Sequence, residues 1–122
     1  MTYIYVTDNP LCMVKSKTEL FDTEMQECAE LFKAVAHPAR IAILKYLAET
    51  QTCITGDISE ELPLSRSTVN QHLAELKKAG LIQGAIEGVN TRYCLDPEAI
   101  HHFSCVSSKL FRQLDVNDGC TC

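Results

Sequence analysis

The sequence predicts a mostly α-helical fold with a small β-hairpin wing, a winged helix-turn-helix dimerising through its first and last helices. Three observations predict it. A short helix, a proline turn and a longer polar-faced helix follow one another between Thr55 and Lys78. Next, Leu81-Ile82-Gln83-Gly84-Ala85-Ile86 and Asn90-Thr91-Arg92-Tyr93-Cys94-Leu95 flank Glu87-Gly88-Val89, the pattern of a hairpin with glycine in its loop. Finally, apolar stripes at helical spacing lie near both ends of the chain, more apolar surface than a small helix-turn-helix can cover, so a second copy is the expected partner.

Taken in order, residues 1–15 contain Asn9-Pro10 and no helical period, and read as a flexible arm carrying Cys12. From about Ser16 to Val35, the residues Met25, Cys28, Leu31, Phe32 and Val35 recur at helical spacing, with Ser16 and Glu19 placed as a capping box. Cys28 lies on that stripe and reads as a small buried thiol. His37-Pro38 opens a second helix with proline at its first position, His37 as cap and Ile41, Leu44 and Leu47 inward. A short third helix starts near Thr55 and stops at Leu62-Pro63, because proline cannot continue it.

The longer helix has a defined start and stop. Ser65 is its expected N-cap, Leu64 and Val69 its staple, Val69, Leu73 and Leu76 its apolar stripe, and Lys77, Lys78 and Gly80 its close. The other face carries Ser65, Arg66, Ser67, Thr68, Asn70, Gln71 and His72, which suit phosphate contacts and base edges. An ordinary solvated helix is richer in Glu and Lys. Arg92, on the second strand of the hairpin, is placed to reach backbone phosphate beside it. Asp96-Pro97 opens a last helix with an apolar face of Ile100, Phe103, Val106, Leu110 and Leu114. The expected organisation is an arm over 1–15, a dimerising winged domain over 16–114 and a cysteine-bearing tail over 115–122.

The 122 residues have room for one domain of ordinary size, and 46% hydrophobic against 22% charged residues describe a globular chain. No apolar run approaches the ~20 residues of a membrane span. Met1-Thr2-Tyr3-Ile4-Tyr5-Val6 has no basic start or small-residue cleavage site, so no membrane association and a cytoplasmic location are expected. The net charge of −5 argues against a nonspecific nucleic-acid coat. Its distribution is uneven: Arg66, Lys77, Lys78 and Arg92 outnumber Glu75 and Glu87 between Pro63 and Leu95, giving one basic edge whose affinity for DNA falls with salt. Seven cysteines, an odd number, point to thiol chemistry rather than a disulfide framework. A thiol enzyme would need an anion-binding loop beside its nucleophile, and no Gly-rich loop precedes these cysteines, so no enzymatic activity is expected.

The order of elements, with Leu31-Phe32-Lys33-Ala34-Val35-Ala36-His37-Pro38-Ala39-Arg40-Ile41-Ala42-Ile43-Leu44 and then Leu64-Ser65-Arg66-Ser67-Thr68-Val69-Asn70-Gln71-His72-Leu73, resembles the ArsR/SmtB family of winged-helix repressors over about residues 18–112. The resemblance implies a homodimer that binds an operator dyad in double-stranded DNA and leaves it when a metal or an oxidant binds. The family's zinc-type site in the last helix does not carry over: counting from Asp96, its later positions hold Lys109 and Arg112, and cations do not coordinate zinc. The other family pattern joins arm cysteines to a Cys-x-Cys at the third helix. Cys12 matches the arm and Cys53 the first of that pair, while Thr55 stands at the second. Fewer thiolates suit a trigonal soft ion such as As(III) as inducer, with no organic cofactor. Cys120 and Cys122, one residue apart after Gly119, are the further candidate thiols. The alternative reading is a repressor of the same fold that senses thiol oxidation or persulfide.

Overall fold

The computed structural model describes residues 20–50, 53–88 and 90–116. Five helices and three strands follow in the order α1 (Thr23–Val35), α2 (Pro38–Thr50), β1 (Cys53–Ile54), α3 (Thr55–Glu61), α4 (Arg66–Lys78), β2 (Ile82–Glu87), β3 (Asn90–Leu95) and α5 (Pro97–Leu114). The expected mostly helical fold with a hairpin wing is the one observed. The arm 1–15, the Ser16–Glu19 capping pair and Cys12, Cys120 and Cys122 lie outside the described residues.

Helices α1, α2, α4 and α5 each start where a side chain accepts from a free backbone N–H of the first turn. For α1 that side chain is Asp22, whose Oδ1 accepts from Met25 N at 2.7 Å, so the helix begins at Thr23 rather than near Ser16. His37 caps α2 as expected, its Nδ1 accepting from Ala39 N at 2.9 Å. Asp96 caps α5, its Oδ1 accepting from Glu98 N at 3.1 Å and Ala99 N at 3.2 Å.

The wing is a three-stranded antiparallel sheet in the order β1-β3-β2. Register pairs Ile82 with Leu95, Gly84 with Tyr93 and Glu87 with Asn90, leaving Gly88 at φ 64° in the first loop position, where glycine carries no Cβ strain. Gly84 meets a different demand. A Cβ there would stand 2.9 Å from Tyr93 Cε1, so the tyrosine ring lies across the space a side chain would need. The third strand is an addition to the expected hairpin: Cys53 and Ile54 pair with Tyr93 and Arg92.

Two compact units divide the chain, Lys33–His102 and the residues on either side of it. Within the first, α2 and α4 pack on each other, α3 packs on α4, β1 and β3, and α4 meets β2. Ile43, Leu47, Ile58, Val69, Leu73, Leu76, Leu81 and Ile82 form its core, none more than 2% exposed. The inward line of α2 is Ala39, Ile43 and Leu47; Ile41, expected inside, is 50% exposed. That helix is apolar almost all round, so its sequence admits two stripes through Leu47, and packing against α4 and β3 selects one.

In the second unit α1 and α5 meet edge to face. Phe32 stands 5.3 Å from Phe103 and 6.2 Å from Phe111 between ring centroids, and Lys109 Nζ lies 2.9 Å from Glu24 Oε2. Cys28 is buried, as its stripe position predicts, whereas Met25 on the same stripe is exposed. No residue of α5 is buried. No helix among the described residues is long and apolar enough to cross a membrane.

Candidate nucleic-acid interface

Helix α4 is fixed at both ends by chemistry already visible in its sequence. Ser65 holds extended backbone (φ −68°, ψ 158°), and its Oγ accepts from Thr68 N at 3.2 Å. At the other end Gly80 turns at φ 84°, Gly80 N donates to Lys77 O at 2.9 Å, and Leu81 N donates to Leu76 O at 3.1 Å. This pair of bonds is the Schellman arrangement, and it seats Leu81 beside Leu76, both fully buried. With Val69 and Leu73 also at 0% exposure, the helix cannot roll without opening the core, so its outer face is set.

That outer face carries Arg66, Ser67, Asn70 and Gln71, all exposed. The remaining three expected contact residues are engaged. Ser65 Oγ donates to Thr68 Oγ1 at 3.0 Å and lies 3.3 Å from Ser67 Oγ, so the Ser65 hydroxyl serves the cap first. Thr68 is half-buried under the same contact. His72 is half-buried on the flank turned toward α2: its Nδ1 accepts from Arg40 Nε at 3.1 Å, and its ring lies 4.3 Å from that of His37, tilted by 40°. Burial, then the neighbouring His37 and Arg40 charges, hold its pKa below the usual histidine value.

Arg40 is the residue sequence reasoning missed. Its Nη1 also donates to Ala34 O at 3.0 Å, so one guanidinium ties the last turn of α1 and the flank of α4 to α2. The signal was present in His37-Pro38-Ala39-Arg40, where a cap and a cation share one helical turn. Nothing in the chain order revealed that both meet His72, thirty-two positions beyond Arg40.

On the wing, Arg92 is exposed at the centre of the sheet, paired with Ala85 on one side and Ile54 on the other. Cys53 opens β1 directly before α3 and pairs through its backbone with Tyr93. Among the described residues no three His, Cys, Asp or Glu side chains gather as a metal site, and neither Cys28 nor Cys94 is in a disulfide. Asp96 is held below the usual carboxylate range by Gln83, whose Nε2 donates to its Oδ2 at 3.1 Å, and by the Ala99 N–H.

Similarity to known proteins agrees with this architecture. Residues 37–83 match the bacterial regulatory proteins of the arsR family. The chain is 40% identical over 72 residues to an uncharacterized HTH-type transcriptional regulator of Methanocaldococcus jannaschii, covering 58% of this chain and 81% of the relative. It is 36% identical over 80 residues to the HTH-type transcriptional repressor SmtB of Mycobacterium tuberculosis, covering 66% of this chain and 56% of that one. The crystal structure of Rv0081 from M. tuberculosis aligns with a TM-score of 0.60 at 29% identity, over 77% of this chain and 95% of that structure.

Proposed function

Because the chain belongs to the arsR family of bacterial regulatory proteins, DNA-binding transcriptional repressors rather than enzymes, we propose that it acts as a homodimer released from its operator by a thiophilic metalloid, foremost As(III). The observation that carries the DNA reading is the exposed polar face of α4, Arg66, Ser67, Asn70 and Gln71, locked outward by a buried stripe and two caps. In this reading that face enters the major groove with Ser65, Thr68 and His72 at its edge, and Arg92 contacts phosphate. The exposed apolar residues Phe21, Met25, Phe111 and Leu114 support dimerisation through α1 and α5.

Cys12 and Cys53 are the proposed thiolate ligands, with Cys120 or Cys122 supplying the third; three sulfurs match the trigonal preference of As(III). The place of Cys53 supports coupling. β1 pairs with the central strand of the wing and runs straight into α3, which packs on α4, so an ion drawing on Cys53 pulls on both DNA-contacting elements.

The deciding experiment is fluorescence anisotropy of the reduced chain on the DNA upstream of its own gene, at fixed moderate salt, before and after arsenite. Binding followed by release is expected, with Cys12→Ser and Cys53→Ser each abolishing the release. Binding that arsenite leaves intact removes the metalloid reading and keeps the repressor. Release by persulfide in metal-free buffer favours the thiol-oxidation alternative.

A further inference from the structure

Arg40 lies outside the recognition helix, yet it bonds to a side chain of that helix. We infer that Arg40 is a positioning residue for base reading: by occupying His72 Nδ1 it fixes the ring as an Nε2–H donor, so that His72 selects an acceptor atom on the DNA. This rests on the reading of α4 as the DNA-contacting helix.

The hydrogen-bond chemistry leaves one arrangement. A guanidinium only donates, so the nitrogen it meets at 3.1 Å must offer a lone pair. A neutral imidazole carries a single N–H, which is then on Nε2. The guanidinium is itself anchored, because Nη1 donates to Ala34 O at 3.0 Å. A flip of the ring would put Cδ2 where Nδ1 stands and lose the Arg40 bond, and His37, which lies against the ring 4.3 Å away and accepts in turn from Ala39 N, holds it in place. Nε2 has no protein partner among the described residues, and the ring is half-exposed one position after Gln71.

The ring stays neutral in neutral solution for the same geometric reasons. The charged or titratable groups acting on it are His37, from the turn before α2, and Arg40, from α2, both of which oppose a further positive charge. An imidazolium could not accept from Arg40 at all. Neutral His72 therefore offers the groove a lone donor. Guanine O6 and N7, adenine N7 and thymine O4 accept such a bond, while the amino group of cytosine, itself a donor, cannot.

The test selects duplexes from a randomised library with the native chain, His72→Ala and Arg40→Gln. One position per half-site should favour guanine, adenine or thymine over cytosine by about fivefold, the worth of one hydrogen bond, and both variants should lose that preference while keeping the others. In parallel, ¹⁵N NMR of the native chain should show His72 protonated on Nε2 only. In Arg40→Gln the ring should titrate closer to the usual histidine value, since a cation and a bond to the neutral form are both removed. If Arg40→Gln retains every preference, or loses all of them together, the positioning role is overturned and the reading of α4 stands. An Nδ1–H ring in the native chain overturns it as well. A native chain that selects no sequence overturns the α4 reading and this inference together.

Discussion

The two units of this chain bury their apolar residues to different degrees. In Lys33–His102 eight large side chains fall to 2% exposure or less, drawn from α2, α3, α4 and the start of the wing. In the other unit, α1 and α5 share an edge-to-face aromatic cluster and a surface ion pair, yet Phe21, Met25, Phe111 and Leu114 remain at least 58% exposed. The first unit closes its own core, and the second presents apolar surface that a single copy leaves in water. In the proposed dimeric repressor this division would leave stability and DNA contact to the first unit and association to the second.

Mutations can break that contrast, in order of expected size. Leu73→Ala removes a fully buried side chain from the middle of α4 and should cost about 2–5 kcal/mol in urea melts, lowering the helical signal of the whole chain. A loss below about 1 kcal/mol would mean that α4 is not pinned by its stripe. Next in size, Met25→Glu combined with Leu114→Glu should leave the melt nearly unchanged but shift sedimentation toward monomer. Operator affinity should then fall by about a hundredfold, as the second half-site no longer assists the first. A dimer that survives both charges would place the interface elsewhere.

The smallest effect sharpens the contrast at the start of α5. Asparagine caps a helix about as well as aspartate, so Asp96→Asn keeps the bonds from Glu98 and Ala99 and removes the charge together with the oxygen that accepts from Gln83 Nε2. The folded pKa of Asp96 lies below its ordinary 3.8, so its contribution is complete above that value and is lost as the pH falls through the folded one. Acid melts of the native chain should therefore lose stability more steeply than those of Asp96→Asn. Parallel acid limbs would show that the Gln83 and Ala99 contacts do not discriminate the charged form.

Much of the interface was legible because its causes are local. The Ser65 cap, the Gly80 turn and the Val69-Leu73-Leu76 stripe depend on residues within one or two helical turns, and each stands where the spacing put it. The errors arose where local signals were ambiguous or absent. Ile41 faces out because α2 offered two apolar stripes. Two residues are too few to announce β1, which exists only because β3 supplies its hydrogen bonds. The polar face of α4 read as a uniform row, yet His72 is held by a neighbour from another helix.

By itself the sequence determined the helix limits of α4, a hairpin with its glycine in the loop, and the family to which the chain belongs. Periodicity, caps and glycine turns are set by atoms a few bonds apart. Only the tertiary structure decided which side of α2 is inside, that Cys53 is tied to the wing, and that Arg40 reaches His72. Those contacts join residues distant in the chain, and they form only once packing has brought their helices and strands together.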